Sequence, residues 1–276
     1  MAEEEEINSS AAVPQRQALP LQDRVAIVTG GSRGIGRDIC LHLASLGAKL
    51  VVNYHSNSSQ ARLLADQIKG RAGEASSPRP RAIAVQADVS DAAQVKSLFD
   101  AAESAFNAQP HILVTSAGIS QLTRSALFDT SVEEFDRVFG VNARGNFLCL
   151  KEGASRLKRG GGGRIICLTS SLVASLKPGF GTYAASKAAV EAMVKILAQE
   201  LKETRITANC VAPGPIATDL LMQVMGSEAA MRKLAEECPH GRIGQPEDVA
   251  PMVGFLATDG AEWVNGQVIR VNGGYV

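Results

Sequence analysis

No stretch of this 276-residue chain holds the roughly 20 consecutive apolar residues that a membrane-crossing helix needs, so no part of it reads as a span. An excess of charge is lacking too: 28 basic side chains face 28 acidic ones, which removes the electrostatic footprint of a nucleic-acid binder or of a protein drawn to an anionic membrane. Small molecules are the expected partners. Cysteine is scarce, and Cys40, Cys149, Cys167, Cys210 and Cys238 are odd in number, widely spaced and mostly set in apolar runs, against a disulfide framework or a zinc site. A reducing, cytoplasmic setting is expected. The chain start lacks the marks of a leader, since four glutamates stand where a secretory signal carries positive charge and an apolar core, and organelle transit peptides are poor in acids. Residues 1–20 are expected to form a solvated, disordered acidic tail.

What is present from Asp23 onward is an alternation of short β-branched runs with longer amphipathic stretches. The runs at 24–29, 48–54, 81–87, 111–116, 164–169, 206–212 and 267–272 are nearly continuous in apolar residues, as buried parallel strands require. Segments 35–46, 59–69, 92–106 and 184–201 carry helical periodicity. Strand followed by helix, repeated without a break, predicts one domain over 21–276: an α/β, Rossmann-type, doubly wound parallel sheet of about seven strands with helices on both faces. The Gly-, Ser- and Pro-rich stretch 70–81 reads as a loose surface loop. Four glycines at 160–163 follow a helix and precede a strand, the wrong order for a phosphate cradle, and read as a flexible turn. The Met- and Leu-bearing stretch 216–242 reads either as a helical insertion able to close over a ligand or as an ordinary packing helix.

Gly30, Gly34 and Gly36 in TGGSRGIG lie between the first strand and the first helix. Glycine there permits a tight turn and a close backbone approach to a pyrophosphate, and the helix N-terminus offers unpaired N–H groups, so Ser32, Arg33 and Ile35 join the candidate dinucleotide contacts. At the end of the second strand, where a carboxylate would hold a ribose 2′-hydroxyl, the sequence reads Asn53, Tyr54, His55, Ser56, Asn57. That absence, with Arg33 in the glycine turn where it could meet a 2′-phosphate, favours NADPH over NADH; the bland alternative is a solvated loop arginine. Asp88, followed by Val89, could accept a bond from an adenine amino group, while Ser90 or Asp91 could equally cap the next helix. Ala117 and Gly118 form a small-residue turn after the fourth strand.

Beyond these lies Ser170, then twelve residues, Tyr183, three residues, and Lys187. A phenol and an ammonium at i and i+4 share one helix face, so the charge can stabilise a phenolate and lower the tyrosine pKa, which would suit a general acid or base; alone, such a spacing is more often a surface pair. Together, TGGSRGIG, ADVSD, the Ala117-Gly118 turn, Asn142 in VNARGNF, Ser170, Tyr183-AAS-Lys187 and VAPGPIATDL at 211–220 resemble the single-domain short-chain dehydrogenase/reductase family over about 21–276, and within it the plant NADPH-dependent aldehyde reductase-like members. The resemblance implies that Tyr183 donates a proton to a carbonyl oxygen, Lys187 holds the nicotinamide ribose and depresses the Tyr183 pKa, and Ser170 polarises the carbonyl. It implies that Asn142 positions a relay water, and that Thr218, after Pro213, Gly214 and Ile216, faces the nicotinamide carboxamide. It also admits a chloroplast location, which the acidic start does not suggest.

Ser171 competes with Ser170, although spacing favours Ser170. Thr115-Ser116 stands where the family usually has two asparagines, and Asn272 where aspartate is commoner. The expected activity is reduction of an aldehyde, ketone or quinone-like carbonyl by NADPH, with NADP+ as the oxidised cofactor. Reduction of a 3-oxoacyl carrier protein is the alternative enzyme; it needs a basic landing patch, for which Arg124, Arg137 and Arg144 are scattered candidates. A catalytically silent NADPH-sensing protein is the other-class alternative. Loops at 119–127, 172–180 and 220–242 are expected to line an apolar substrate site with few charges. Val190, Met193, Val194, Ile196 and Leu197 put apolar residues on more than one face of the last long helix, which, with the resemblance, suggests a homodimer or homotetramer.

Overall fold

The computed structural model describes residues 18–71 and 81–276. The expected acidic tail at 1–20 lies almost wholly outside the described residues, as does most of the expected loop at 70–81. Among the described residues seven strands form, β1 (Val25–Thr29), β2 (Lys49–Tyr54), β3 (Ala82–Gln86), β4 (Ile112–Thr115), β5 (Arg164–Leu168), β6 (Thr207–Pro213) and β7 (Val268–Val271), each inside one of the apolar runs except that β6 extends one residue past its run. A strand covered on both faces must be apolar at successive positions rather than alternate ones, and every residue of β1, β4, β5 and β6 is buried.

All pairings are parallel, in the order β3-β2-β1-β4-β5-β6-β7. The chain therefore runs outward from β1 to β3, returns to β4 beside β1, and continues to β7. That reversal between β1 and β4 opens a crevice at the carboxyl ends of the strands. The helices are α1 (Gly34–Ser45), α2 (Ser58–Arg71), α3 (Ala92–Phe106), α4 (Val132–Phe139), α5 (Gly145–Arg156), α6 (Leu172–Ser175), α7 (Gly181–Glu200), α8 (Asp219–Met225), α9 (Glu228–Glu236) and α10 (Pro246–Ala257). Ile39 and Leu43 of α1, Leu64 of α2 and Val249 and Val253 of α10 fill the core on one face of the sheet. Leu98 and Phe99 of α3, Cys149 of α5 and Val190 and Val194 of α7 fill the other.

Local chemistry settles several alternatives. Asp91 caps α3, accepting from the N–H groups of Ala93 (2.8 Å) and Gln94 (3.0 Å), which leaves Asp88 outside the helix. The stretch at 216–242 is two short helices, α8 and α9, broken at Gly226 where φ is +70°. All five cysteines are free and buried. The argument for association from α7 is corrected: Val190 and Val194 are buried and Met193 and Leu197 pack against the core, so of the five only Ile196 is exposed, at 55%. Other large exposed apolar residues include a group at Leu127, Phe128, Val132 and Phe135, Phe147 on α5, and the separate Leu63, Leu176 and Trp263.

At the opposite, amino edge of the sheet Arg164 opens β5 fully buried. Its guanidinium donates to the carbonyls of Gly163 (2.8 Å) and Thr258 (3.2 Å) and pairs with Asp259 at 3.2 Å, tying β5 to the end of α10. Arg164→Ala should lose about 2 kcal/mol, read as a lower urea midpoint with unchanged slope. Cofactor affinity should stay at the wild-type value, because the crevice lies at the other end of the strands.

Candidate active site

A cavity of 1120 Å³ occupies the crevice. Gly30, Ser32, Arg33, Gly34, Ile35 and Gly36 line it from the β1–α1 turn, Asn53, Tyr54 and His55 from the end of β2, and Asp88 and Val89 from the segment after β3. Ala117 and Gly118 follow β4, Ser170 follows β5, Tyr183 and Lys187 come from α7, Pro213 ends β6, and Gly214, Ile216 and Thr218 follow it. The expected residues are thus brought to one space, except Asn142, which lies behind Gly118 and is fully buried.

The glycine turn is built for close approach. A Cβ on Gly36 would stand 2.3 Å from the Gly30 carbonyl oxygen, and one on Gly30, where φ is +62°, would stand 2.8 Å from Ala117 Cα. Arg33 at the N-cap of α1 makes no side-chain capping bond and the first turn carries no acid, so the helix N-terminus keeps donors and partial positive charge for an anion. The cradle therefore fits a dinucleotide pyrophosphate.

Asn53, besides lining the cavity, has a structural part. Its Oδ1 accepts from the Gly30 N–H (3.3 Å) and its Nδ2 donates to Val85 (3.3 Å) and Ala87 (3.1 Å), so the amide braces β2 against β3 and the glycine turn. Thr29 does the same on the other side, its hydroxyl accepting from the N–H groups of Ser116 (3.1 Å) and Ala117 (3.2 Å). Thr115 bonds Asn146 on α5. Cross-strand bonds are therefore made around the Thr115-Ser116 turn without an asparagine in it. Burial pushes the Asp88 carboxyl up, but bonds from the Ser90 hydroxyl and N–H and the nearby His55 outweigh it and hold it below the usual range. Arg33 is 69% exposed, with a 3.6 Å ion pair to Asp219 at the start of α8.

Lys187, only 4% exposed, donates to the Leu168 carbonyl at 2.9 Å, and burial lowers its pKa to about 8. Its Nζ stands 5.9 Å from the Tyr183 ring centroid. Contrary to the expected depression, the Tyr183 phenol is pushed up by burial, with a smaller opposing pull from a hydrogen bond with Ser170. Desolvation of the phenolate outweighs an ammonium at this distance. Ser171 turns away: its hydroxyl donates to Ala212 O (3.2 Å) and accepts from Asn272 Nδ2 (3.1 Å), which leaves Ser170 beside Tyr183. Asn142 sits in a π-turn at Gly140–Arg144, its Oδ1 accepting from the Ile119 N–H (2.9 Å) and its Nδ2 donating to Ile119 O (2.9 Å) and Ser186 Oγ (3.1 Å). Thr218 caps α8 and packs its methyl over Gly34.

Away from the glycine turn the chamber is walled by Ile119, Leu122, Leu172, Phe180, Leu221 and Leu234, from the three expected loops. The expectation of few charges is corrected: Arg124, Lys177, Lys233 and Glu237 line it too, Arg124 4.8 Å over the Phe180 ring and Lys177 paired with Glu237 and 4.8 Å over the Tyr275 ring. Surface helices α8 and α9 must turn polar residues outward, and their ends bring some of these to the chamber rim. Gln121 and Tyr275 also line the chamber and were not singled out in the sequence, because neither belongs to a spacing pattern.

The parallel sheet thus carries a glycine cradle at its carboxyl end, with Ser170, Tyr183 and Lys187 in the same cavity. Residues 30–276 match the family model described as Enoyl-(Acyl carrier protein) reductase. The chain is 62% identical to the NADPH-dependent aldehyde reductase-like protein, chloroplastic, of Arabidopsis thaliana, over 94% of this chain and 96% of that protein. It is 54% identical to the Short-chain type dehydrogenase/reductase of Picea abies, over 93% of each chain. A solved short chain dehydrogenase from Burkholderia cenocepacia in complex with NADP superposes with a TM-score of 0.83 at 33% identity, covering 93% of this chain and 99% of that one. The chain belongs to the short-chain dehydrogenase/reductase family.

The buried ammonium makes stability depend on pH. Unfolded, Lys187 has a pKa of 10.5, and folded, of about 8, so between those values the unfolded chain binds more protons and this contribution rises with pH. Lys187→Met should lack that rise, match or exceed wild-type stability near neutral pH, and reduce no carbonyl; urea midpoints of the two proteins at about pH 7 and about pH 9.5 provide the comparison.

Proposed function

We propose that this protein is an NADPH-dependent carbonyl reductase in which Tyr183 protonates the carbonyl oxygen of an aldehyde, ketone or quinone-like substrate. The observation that carries the reading is a half-buried phenol held in its acid form beside Ser170, in the same cavity as the dinucleotide cradle. A phenol held protonated suits proton donation in reduction better than proton abstraction in oxidation.

NADPH/NADP+ is the cofactor, in keeping with the name of the Arabidopsis relative and the ligand of the Burkholderia structure. When bound, its nicotinamide supplies the hydride. Ser32, Arg33, Gly34 and Ile35 would hold the phosphates at the N-terminus of α1, with Arg33 or His55 toward the 2′-phosphate, and Asp88 and Val89 would hold the adenine. Lys187 would hold the nicotinamide ribose, and Pro213, Gly214, Ile216 and Thr218 the carboxamide end. Ser170 and Tyr183 both address the substrate oxygen, Ser170 through its hydroxyl as a donor and Tyr183 as the acid. Because the Asn142 amide is engaged with Ile119 and Ser186, its part in a water relay would fall to its main-chain oxygen, which already accepts from Asn146 Nδ2 at 2.6 Å.

Carrier-protein reduction is less well supported. Arg137 is held by Glu134 and the Ser120 carbonyl, Arg144 by the Ser90 carbonyl, and Arg124 lies over Phe180, so the three form no common landing patch. A small, largely apolar carbonyl compound fits the leucine-lined chamber better. Exposed Phe128, Val132, Phe135 and Phe147 support association into a homodimer or homotetramer. The Arabidopsis relative is described as chloroplastic. Among the described residues no helix is long and apolar enough to cross a membrane.

Purified protein should oxidise NADPH in the presence of small aldehydes or diketones. Tyr183→Phe should lower kcat by at least about a hundredfold and Ser170→Ala by about tenfold, with NADPH affinity within twofold of wild type in both. Unchanged turnover in Tyr183→Phe would defeat the mechanism.

A further inference from the structure

The helix that carries Tyr183 and Lys187 begins without a cap of its own. Phe180, at its N-cap, has no side chain able to accept, and the first turn contains no acid. Tyr183 is the third residue of α7, so its N–H is one of those that no carbonyl within the helix can satisfy. Gln121, from the loop after β4, reaches it: Oε1 accepts from the Tyr183 N–H at 3.4 Å, while Nε2 donates to Gly179 O at 2.6 Å and Thr123 O at 3.1 Å. The side chain is 4% exposed and all three bonds are made inside the chamber wall.

The other side of the same residue is held as well. Ser186 Oγ donates to Tyr183 O at 2.7 Å and accepts from Asn142 Nδ2 at 3.1 Å, and Asn142 binds both the N–H and the C=O of Ile119, two residues before Gln121. The path from Tyr183 O through Ser186, Asn142, Ile119 and Gln121 returns to Tyr183 N. Hydrogen bonds joined by the main chain at 119–121 therefore grip the Tyr183 backbone from both sides, and Gln121 also holds the loop before α7, through Gly179.

We propose that Gln121 is a positioning residue that caps α7 from outside the helix, fixing Tyr183 toward Ser170 and the loop before α7 over the substrate. The proposal rests on the carbonyl-reductase reading only for its kinetic consequence; the capping itself stands on the geometry.

Three variants of the full chain test it. Gln121→Leu removes every bond, and kcat should fall about tenfold with the NADPH Kd within twofold of wild type. Gln121→Glu keeps the shape: a neutral carboxyl can accept from Tyr183 N–H and donate to Gly179 O, whereas a carboxylate cannot donate and faces two carbonyl oxygens. Its kcat relative to wild type should be near one at about pH 5 and fall as the carboxyl ionises, a dependence that Gln121→Leu, with nothing to titrate, should not show. Gln121→Asn, too short to span both partners, should behave as Gln121→Leu. Amide exchange of the peptide 181–187 should be faster in Gln121→Leu than in wild type. A ratio of Gln121→Glu to wild type that is flat with pH, or unchanged exchange at 181–187, would overturn the proposal, and the pH comparison decides should Gln121→Leu fail to fold. Failure of the wild-type protein to reduce any carbonyl would instead defeat the carbonyl-reductase reading, and the exchange comparison would still decide the cap.

Discussion

An ammonium taken out of water and given one protein oxygen to bond is costly, and Lys187 is such a group, donating to the Leu168 carbonyl at the end of β5 from the middle of the α7 face. Much of the surrounding structure follows from placing it there. Its neighbours Cys167 and Cys210 face each other across β5 and β6, and they are as buried as the lysine. Gly118 passes so close that a Cβ would lie 3.2 Å from Nζ, which holds the turn after β4 to glycine. With Lys187 fixed, the rotation of α7 is fixed, and Tyr183 one turn earlier must face the same cavity.

Burial then acts on the two groups in opposite senses, raising the phenol and lowering the ammonium. Each is biased toward its neutral form, and a phenol held protonated would suit the proposed role of proton donor. Ser170 works in the other direction, since its hydrogen bond favours the phenolate. The acid is thus held ready by desolvation and made releasable by a neighbour rather than by the ammonium alone.

The fold was legible because buried parallel strands write themselves as unbroken apolar runs, and each of the seven runs became a strand. The glycine turn and the Ser170, Tyr183 and Lys187 group were legible because their chemistry fixes a spacing along the chain. What could not be read depends on contacts between distant segments. The place of Asn53 near the end of β2 marked it as a candidate cofactor contact but not as the brace whose amide ties two strands to the glycine turn. Gln121 lies 62 residues from the N–H that it accepts, so no local pattern marks it. The direction of the Tyr183 shift was misjudged because helical spacing reports that two residues share a face and nothing about how much water reaches them.

The most direct test is a titration of Lys187 by NMR of side-chain-labelled lysine in the full chain, with Lys187→Met supplying the assignment. The account predicts one lysine that titrates near pH 8, well separated from the rest. A Lys187 resonance titrating with the others near 10.5 would show that water reaches the ammonium, and would contradict the burial on which the site depends.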